Sequence, residues 1–297
     1  MHPFLYRIHQ HSPVDVLLPV VVGFSGGPDS ECLLAYILAV CPDDQVTVVY
    51  VDHQLRDDQS CEHARLAQLK ARLNVRVCRI DVDPNRIETS AREGRYAQLI
   101  DVANDVGTTQ IVVGHHQDDH IETILMQLVR GSKQLTGILP VRDRDGVRIM
   151  RPLLGVTKEE IVTYLRDVGQ SYCEDVTNES MAFTRNKIRH QLVPLLQQLN
   201  PNVGQSLMQL SSYHQAMSAY LDQYCSETID AKALASQPAV VQSHVLHRFL
   251  SVSTSGTLAE RHVAMIQANL GATESKEWHL PGLIVSLKRG LLTVQKR

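Results

Sequence analysis

Closely spaced cysteine pairs are missing from this sequence of 297 residues. Its cysteines stand alone along the chain, at Cys32, Cys41, Cys61, Cys78, Cys173 and Cys225. No Cys-x-x-Cys spacing occurs, so the motifs of zinc ribbons and iron–sulfur proteins are absent. Scattered thiols in a chain of this length favour reduced, buried side chains in a reducing compartment. We therefore expect free cysteines and a cytoplasmic protein.

Long hydrophobic runs and a strong charge bias are also missing. The apolar stretch from Val14 to Phe24 is interrupted by Asp15 and Pro19 and is too short to cross a bilayer. It lacks the cleavage site of a signal peptide, so we expect a soluble protein without a membrane partner. The formal net charge is only −3. An RNA partner, if there is one, would have to be bound by local patches.

Two kinds of apolar pattern alternate through the first half of the chain. Buried-strand patterns lie at residues 16–24, 46–51, 75–80 and 110–114, and helical patterns lie at 30–40, 61–73, 86–106 and 118–129. This alternation predicts an α/β fold, a Rossmann-like parallel sheet flanked by helices on both faces.

The pattern changes further along the chain. Helical patterns follow at residues 157–167, 184–199, 205–228, 239–252 and 258–270, and the end has a hairpin pattern at 283–287 and 291–294. Thr157 is a suitable N-cap for the first of these helices, with Glu160 completing a capping box. We place the boundary near Asn200–Gly204, which gives a catalytic domain of residues 1–200 and a smaller, mainly helical domain of residues 201–297.

The hexapeptide from Ser25 to Ser30 (SGGPDS) links the first strand pattern to the first helical pattern. The first N–H groups of a helix lack intrahelical partners, and the helix dipole adds partial positive charge there. Gly26 and Gly27 allow the backbone to curl around an anion, to which Ser25 and Ser30 add hydroxyl donors. No Walker A lysine follows. Glycine content alone leaves two interpretations, a phosphate-binding loop or a tight turn whose N-cap is Asp29 or Ser30.

The complete string Ser-Gly-Gly-x-Asp-Ser after a buried strand resembles the loop of the PP-loop ATP-pyrophosphatase superfamily. The resemblance covers Ser25, Gly26, Gly27, Pro28, Asp29 and Ser30. It implies a fold of the PP-loop (HUP) type and the use of ATP. Those enzymes cleave ATP between the α- and β-phosphates and form an adenylated intermediate.

A second polar cluster, His115 to Thr123 (HHQDDHIET), opens a helix directly after the fourth strand pattern. Asp118 and Glu122 are four residues apart and share one face of that helix. Acidic residues often only complement a helix N-terminus. Here they follow the carboxyl end of a strand, where open α/β sheets bind ligands. They are therefore candidates for binding Mg²⁺ or a substrate ammonium group, whereas the missing cysteine pairs make zinc a poor fit.

Three further segments carry charge in groups. They are VDHQLR from Val51, AREGRY from Ala91, and EDVTN from Glu174 followed by RNKIRH from Arg185. Each is compatible with an ordinary solvated surface, and an ion pair of Glu88 with Arg92 would contribute only about 0.3–0.5 kcal/mol. The alternative is that Arg92 and Arg95, three residues apart, bind phosphate or RNA through bidentate contacts. The basic residues from Arg185 onward are further candidates for such contacts.

Taken in order, these segments together with Arg130-Gly131 and Arg151-Pro152-Leu153-Leu154 resemble the tRNA(Ile)-lysidine synthetase family over roughly residues 16–200. The resemblance implies adenylation of the wobble cytidine in the CAU anticodon of tRNA(Ile), followed by attack of free L-lysine, with release of pyrophosphate and AMP. It also implies ATP with Mg²⁺, the latter positioned by Asp29 and Asp118. A homodimer is compatible with the sequence.

The same resemblance implies roles for individual residues. Asp29, Asp119, Arg95 and Arg185 are the expected catalytic residues. Asp118, Glu122, Arg92, Arg189 and His115 are the expected substrate-binding residues. Asp119 or Glu122 would bind the lysine ammonium, Arg92 or Arg95 would stabilise the α-phosphate, and Arg185 and Arg189 would lie near the anticodon backbone.

Two departures from the family pattern stand out. Gln54 occupies a position where the family usually has glycine, and the chain resembles the short form with a single C-terminal domain. Three alternatives stay open: a PP-loop tRNA thiolase of the 2-thiocytidine or 2-thiouridine type, a small-molecule ligase of the same superfamily, and a non-catalytic tRNA-binding protein. A thiolase would need cysteines near the loop, and in sequence only Cys32 is close to it.

Overall fold

The computed structural model describes residues 1–11, 18–54, 58–83, 86–132, 134–173, 184–226, 228–251, 260–272 and 274–296. The chain divides into two compact units, Met1–Ser211 and Ser212–Arg297. The division falls inside the helix Val203–Asp222, whereas the boundary expected from the sequence precedes that helix. The segment EDVTN and residues Leu55 and Arg56 lie outside the described residues.

The first unit contains a sheet surrounded by helices. Its strands are β1 (Val20–Phe24), β2 (Val46–Asp52), β3 (Asn74–Arg79), β4 (Gln110–Val112), β5 (Val141–Arg144) and β6 (Val147–Met150). Its helices are α1 (Pro3–His11), α2 (Pro28–Val40), α3 (Ser60–Lys70), α4 (Ile87–Asp105), α5 (Gln117–Val129), α6 (Lys158–Asp167), α7 (Thr184–Lys187), α8 (Val193–Leu199) and the first half of α9 (Val203–Asp222).

The sheet has the strand order β3-β2-β1-β4-β6-β5, and only β5 is antiparallel to its neighbour. The predicted α/β class with a mostly parallel, Rossmann-like sheet is confirmed. From β1 the chain moves to β2 and β3 on one side and then returns to β4 on the other. This reversal between β1 and β4 opens a crevice at the carboxyl ends of the two strands.

Alternate residues of the buried strands fill two separate cores, because successive side chains of a strand point to opposite faces. Val20 and Val22 pack with α1, α2, α3 and α6 on one face. Val21 packs with Tyr96 and Leu99 of α4 on the other. Both faces of β1 are thus covered, which accounts for its unbroken apolar sequence.

Sequence patterns missed α1 and the β5–β6 hairpin. The hairpin turn is Asp145-Gly146, with φ of 50° and 81°, and an Asp-Gly pair is a common two-residue hairpin turn that could have revealed it. The helix predicted at residues 184–199 is interrupted by a π-helical turn, Ile188–Leu192. Pro194, near the start of α8, lacks the N–H for a regular hydrogen bond to the preceding turn.

The second unit continues from α9 with α10 (Ala231–Ala235), α11 (Ala239–Ser251) and α12 (Glu260–Gln267). Its strands are β7 (Ile229–Asp230), β8 (Lys276–Leu280), β9 (Leu283–Lys288) and β10 (Leu291–Lys296). The expected hairpin is present as β9 and β10, but it forms the centre of a four-stranded antiparallel sheet in the order β7-β10-β9-β8. The second unit is mainly helical with a small sheet, and it has its own hydrophobic core.

None of the helices in the described part of the chain combines the length and apolar character needed to cross a membrane.

Gly137 tests the packing that positions α5. A Cβ at this residue would lie 2.6 Å from Cε1 of the His120 imidazole, and the φ of Gly137 is 59°. We expect Gly137→Ala to lower the free energy of unfolding by about 2–4 kcal/mol, through backbone strain and overpacking. Gly131→Ala is the matched control, since its φ is 73° and nothing lies within 4 Å of its Cβ position. The control should lose only about 1–2 kcal/mol in urea denaturation, and equal losses for both variants would contradict the packing argument.

Candidate active site

A cleft of about 900 Å³ lies at the reversal point between β1 and β4. Its walls include the end of β1 with Ser25, Asp29 and Ser30, the end of β2, and the start of α5. The far wall is formed by residues from Arg185 to Leu207. The two strongest sequence motifs, SGGPDS and HHQDDHIET, therefore face the same space.

The SGGPDS loop is a compact turn that leads from β1 into α2. Gly26 has a φ of 81°, a conformation that side chains other than glycine rarely adopt. The hydroxyl of Ser30 donates to the carbonyl of Gly27 at 2.9 Å, and the amide of Gly27 donates to the Ser25 hydroxyl at 3.4 Å. Gly27, not Asp29 or Ser30, is the N-cap of α2, and Pro28 follows at the first turn. Asp29 is consequently free to direct its carboxylate into the cleft.

Lys158 is a cleft residue that the sequence analysis did not identify. Its Nζ atom lies 2.7 Å from Oδ1 of Asp29, across 129 residues of sequence. Its backbone amide donates to Oδ2 of Asp118 at 2.8 Å. Thr157 and Glu160 form the predicted capping box at the start of α6, which holds Lys158 in place. A single lysine in a helical pattern gives no sequence signal, because only the fold brings α6 to the loop.

His116 is surrounded by acidic side chains at the start of α5. Its ring nitrogens lie 3.8 Å from Asp29, 3.2 Å from Asp118 and 3.5 Å from Asp119, and only 4% of the residue is exposed. Burial lowers the pKa of His116, but the hydrogen bond with Asp118 and the charges of Asp119 and Asp29 outweigh it, so the pKa is raised. The three carboxylates around this imidazole therefore favour its protonated form.

Glu122 and Asp119 bind two arginines from the opposite wall. Arg185 donates from Nε to Glu122 at 2.6 Å and from Nη2 to Asp119 at 2.9 Å. Arg189 donates to both oxygens of Glu122, at 2.6 and 3.1 Å. Glu122 is 2% exposed. Burial raises the pKa of Asp119, but the charges of His116 and Arg185 lower it by more, so this carboxylate stays ionised in the network.

The remaining predicted site residues lie in two places, either in the cleft or against the ring of Tyr96. Arg95 and His115 line the cleft. Burial, followed by the charges of Arg151, Arg95 and Arg92, lowers the pKa of His115 to about 3, against the opposing effect of Asp119. His115 is thus a neutral imidazole at physiological pH. Arg92 lies instead against the ring of Tyr96, with its Cζ atom 5.7 Å from the ring centroid.

The VDHQ part of the segment after β2 lines the cleft as well. Gln54, at the position where glycine was expected, has a φ of 53°. Its backbone amide donates to Asp52 at 2.8 Å, and its side-chain amide donates to the carbonyl of Ile80 at 3.2 Å. The glycine-like backbone is therefore retained, and side-chain hydrogen bonds support it.

The expectation that all cysteines are free is wrong for two of them. Cys61 and Cys173 form a disulfide whose Cα atoms are 5.9 Å apart, although 112 residues separate them in sequence. The amide of Cys173 donates to the carbonyl of Gly26 at 2.9 Å, which places the disulfide directly behind the phosphate loop. Sequence spacing could not predict this pair, because the parallel fold alone brings α3 and the segment after α6 together.

The carboxylates of the cleft are oxygen donors of the kind that hard cations prefer. Asp29 and Asp118 both face His116 and Lys158, and Mg²⁺ typically takes one or two carboxylates together with substrate oxygens. Across the residues with assigned positions, only Asp222, Cys225 and His244 of the second unit bring three ligand-type atoms within 4.8 Å. There Arg248 already lies 3.6 Å from the Asp222 carboxylate and supplies a positive charge.

The raised pKa of His116 gives a test of the cleft by pH. A group whose pKa is raised on folding stabilises the fold below its unfolded value, near 6.5, and loses that contribution as pH rises through the folded pKa. We expect His116→Gln to lower the free energy of unfolding by about 1–3 kcal/mol near pH 6. The difference from the unsubstituted protein should shrink toward pH 9.

Urea denaturation at several pH values measures this difference. His279→Gln is a suitable control because His279 is exposed and belongs to the second unit. A deficit for His116→Gln that stays constant from pH 6 to pH 9 would show that its charge does not link the carboxylates.

Comparisons with known proteins agree with this geometry. Residues 6–196 match the family model described as a PP-loop domain. The chain is 37% identical to a tRNA(Ile)-lysidine synthase of Bacillus thuringiensis subsp. konkukian, over 75% of this chain and 50% of that protein. It is 31% identical to a tRNA(Ile)-lysidine synthase of Thermus thermophilus, over 97% of this chain and 58% of that protein. The chain thus spans between half and three fifths of the length of these relatives.

A solved structure supports the fold. The U34-tRNA thiolase NcsA from Methanococcus maripaludis, determined with its [4Fe-4S] cluster, superposes with a TM-score of 0.57 at 14% identity. The superposition covers 72% of this chain and 77% of that chain. Together with the match over residues 6–196, the loop after β1 and the parallel sheet establish that this chain belongs to the PP-loop domain family, whose members use ATP.

Proposed function

We propose that this protein ligates L-lysine to the wobble cytidine of the CAU anticodon of tRNA(Ile), by way of an adenylated tRNA, with release of pyrophosphate and AMP. The observation that carries the proposal is the acidic pair Asp119 and Glu122 beside the PP-loop. Those two carboxylates are arranged around a positively charged nitrogen group in the cleft, here the guanidinium of Arg185. An ATP site adjoining a cation site fits a reaction between an activated base and an amine.

The first step is the attack of the cytidine O2 atom on the α-phosphorus of ATP. The new bond is O2–P, the bond to the β-phosphate oxygen breaks, and pyrophosphate leaves. Ser25, Gly26, Gly27 and Ser30 would hold the departing phosphates at the start of α2. Asp29 orients Lys158 toward the same space, at 2.7 Å, and the ammonium of Lys158 offsets the negative charge that develops on the leaving group.

Asp29 and Asp118 are the residues that would hold Mg²⁺, which when bound would neutralise phosphate charge. Arg95 extends from α4 into the cleft. From there its guanidinium can stabilise the charge that accumulates on the α-phosphate, as the family resemblance implies.

The second step is the attack of the lysine ε-amine on C2 of the activated base. The C–N bond forms, the C2–O2 bond breaks, and the oxygen leaves as part of AMP. Free lysine arrives protonated, since its pKa is roughly 10.4. Asp119 keeps its negative charge because its pKa is lowered, so it can hold the ammonium through a hydrogen bond and accept its proton as the amine attacks.

Arg185 and Arg189 occupy the position where the ammonium would bind. The guanidinium groups stand in for that ligand, with Nε of each arginine 2.6 Å from Glu122. Lysine binding therefore requires Arg185 to give up its contact with Asp119, while Glu122 retains Arg189. The released guanidinium is then available for RNA phosphate, in keeping with the role expected for Arg185 near the anticodon.

The second unit is proposed to contact the tRNA. Its part of α9 exposes Tyr213 and Tyr220, each 62% accessible, and the turn after the helix exposes Tyr224, 40% accessible. Aromatic faces of this kind stack on unpaired bases.

A tRNA thiolase is the rival enzyme. The structural neighbour carries a [4Fe-4S] cluster, and such clusters take several cysteine thiolates. Behind the loop of this chain, the described residues bring together only Cys61 and Cys173, which are bonded to each other. Cys32 is fully buried in α2, and burial, with a further contribution from Asp29, raises its pKa to about 12. The cysteine arrangement therefore favours the ligase.

Incubation of the protein with ATP, Mg²⁺, radiolabelled lysine and a CAU-anticodon tRNA(Ile) transcript tests the proposal directly. Label in the tRNA with stoichiometric AMP supports it. Adenylated tRNA without label, or incorporation of sulfur in place of lysine, would overturn it.

Asp119→Asn separates the two steps. We expect pyrophosphate release from ATP and tRNA to continue, while lysine incorporation falls by at least about 100-fold because the ammonium loses its charged partner. Asp101→Asn, at an exposed position of α4, is the control and should retain activity. Full lysine incorporation by Asp119→Asn would remove Asp119 from the amine site.

Lys158→Met tests the first step. Loss of the ammonium opposite Asp29 should slow pyrophosphate release by about 10- to 100-fold, since a charge that acts on the leaving group is removed. Lys70→Met, at the exposed end of α3, is the matched control. Equal rates of pyrophosphate release by the two variants would show that Lys158 has only a structural role.

A further inference from the structure

Four arginines lie around Tyr96, at the side of α4 that adjoins the cleft, and a fifth, Arg142, lies near one of them, Arg151. We call Arg92, Arg142, Arg144 and Arg151 the Tyr96 arginine cluster; Arg95 points into the cleft. The Cζ atom of Arg144 lies 5.5 Å from the Tyr96 ring centroid and that of Arg92 lies 5.7 Å from it. Tyr96 itself is only 3% exposed. Its ring is held in place by the surrounding core, and the guanidinium groups of Arg92 and Arg144 pack against it.

The β5–β6 hairpin presents two of these arginines together. Arg142 and Arg144 pair across the ladder with Ile149 and Val147, and directly opposite residues of antiparallel strands share one face of the sheet. Ile149 and Val147 belong to the core that contains Tyr96. Arg142 and Arg144 therefore lie on the α4 face of an edge strand, beside Arg92.

Arg151 adds a buried positive charge beneath this surface. It is 3% exposed, its Nη1 atom donates to the carbonyl of Leu139 at 2.8 Å, and its Nε atom lacks a hydrogen-bond partner. Burial lowers the pKa of Arg151; Tyr96 opposes this effect, and the charges of Arg92 and Arg142 add to it. Burial raises the pKa of Tyr96, but the charges of Arg151, Arg92 and Arg95 lower it by more. The positive potential is thus felt throughout the cluster.

Few carboxylates neutralise the cluster among the side chains that the structure describes. Within the described side chains, only Asp145 reaches it, at 3.1 Å from Nε of Arg144, and both of these groups are partly exposed. Arg185 and Arg189, by contrast, are saturated by Asp119 and Glu122. Guanidinium groups gathered with so few acidic partners repel one another, and this repulsion is relieved when an anion binds between them.

We propose that the Tyr96 arginine cluster is a phosphodiester-binding site for the RNA backbone next to the nucleotide that enters the cleft. The inference rests on the proposed function, since it requires an RNA substrate. Tyr96 and Arg95 line the cleft, whereas Arg92 and Arg144 contact the same tyrosine ring from outside the set of cleft-lining residues. A backbone phosphate held by Arg92, Arg142 and Arg144 would therefore adjoin a base that has been turned into the cleft.

Salt dependence of RNA binding tests the site. Each phosphate contact on a single strand adds about 0.7 to the slope of log Kd against log salt concentration. The full chain is titrated against a fluorescent CAU anticodon stem-loop without ATP or lysine. Fluorescence anisotropy measures the binding at each salt concentration. For the double variant Arg142→Gln/Arg144→Gln we expect the slope to fall by about 1.4 and Kd to rise roughly 10-fold at physiological salt.

Arg148→Gln is the matched control. Arg148 lies on β6 of the same hairpin, between Val147 and Ile149, and therefore on the opposite face, where it pairs with Asp143 at 3.5 Å. The control should bind with the slope of the unsubstituted protein. An unchanged slope for the double variant, or an equal change for Arg148→Gln, would overturn the proposal. Circular dichroism of all variants verifies that each is folded.

Competition with inorganic phosphate distinguishes the source of the anion. Millimolar phosphate that displaces the stem-loop completely from the unsubstituted protein would show a site for free phosphate and overturn the assignment to RNA. The outcome is also separable from that of the proposed function. If the salt slope depends on the arginines but no lysine is incorporated, the phosphodiester site is retained and the ligase function is rejected. If lysine is incorporated and the double variant has an unchanged KM for tRNA, the ligase function is retained and the phosphodiester site is rejected.

Discussion

The reversal of strand order between β1 and β4 is the constraint on which the site depends. It places the loop after β1 and the start of α5 on facing sides of one crevice. Their approach is close: a Cβ at Gly114 would lie 3.1 Å from the carbonyl oxygen of Asp29. A larger residue at this position would press on the backbone at the start of α2. The phosphate loop and the acidic cluster consequently share a cleft.

Ion pairs between side chains of several helices and loops then hold the walls of the cleft together. His116 joins Asp29, Asp118 and Asp119, Lys158 joins Asp29 from α6, and the arginines of the far wall join Glu122. A buried carboxylate is unfavourable without such partners. Each of these contacts is also one that a substrate can replace, because ammonium, guanidinium and phosphate groups are exchangeable partners. The interactions that order the cleft are thus the ones that a lysine or a nucleotide would compete for.

The helix α4 separates two electrostatic environments. Toward the cleft, Arg95 lies within the influence of Asp119, whereas toward β5 the arginines around Tyr96 have almost no acidic neighbours among the described residues. The first environment suits a reaction in which charge moves, because opposite charges are balanced there. The second suits binding of a polyanion, because its positive charge is left uncompensated. One aromatic ring marks the border between them.

The sequence by itself determined the alternating strands and helices, the phosphate loop and the acidic start of α5, because each depends on neighbouring residues and local periodicity. It also carried the signal of the β5–β6 turn, Asp145-Gly146, which pattern reading overlooked. The pairing of Lys158 with Asp29, of Arg185 with Glu122 and of Cys61 with Cys173 was decided only by the tertiary structure. Such partners stand 63 to 129 residues apart, and contacts of that range are set by how the parallel crossovers pack, which no local pattern records.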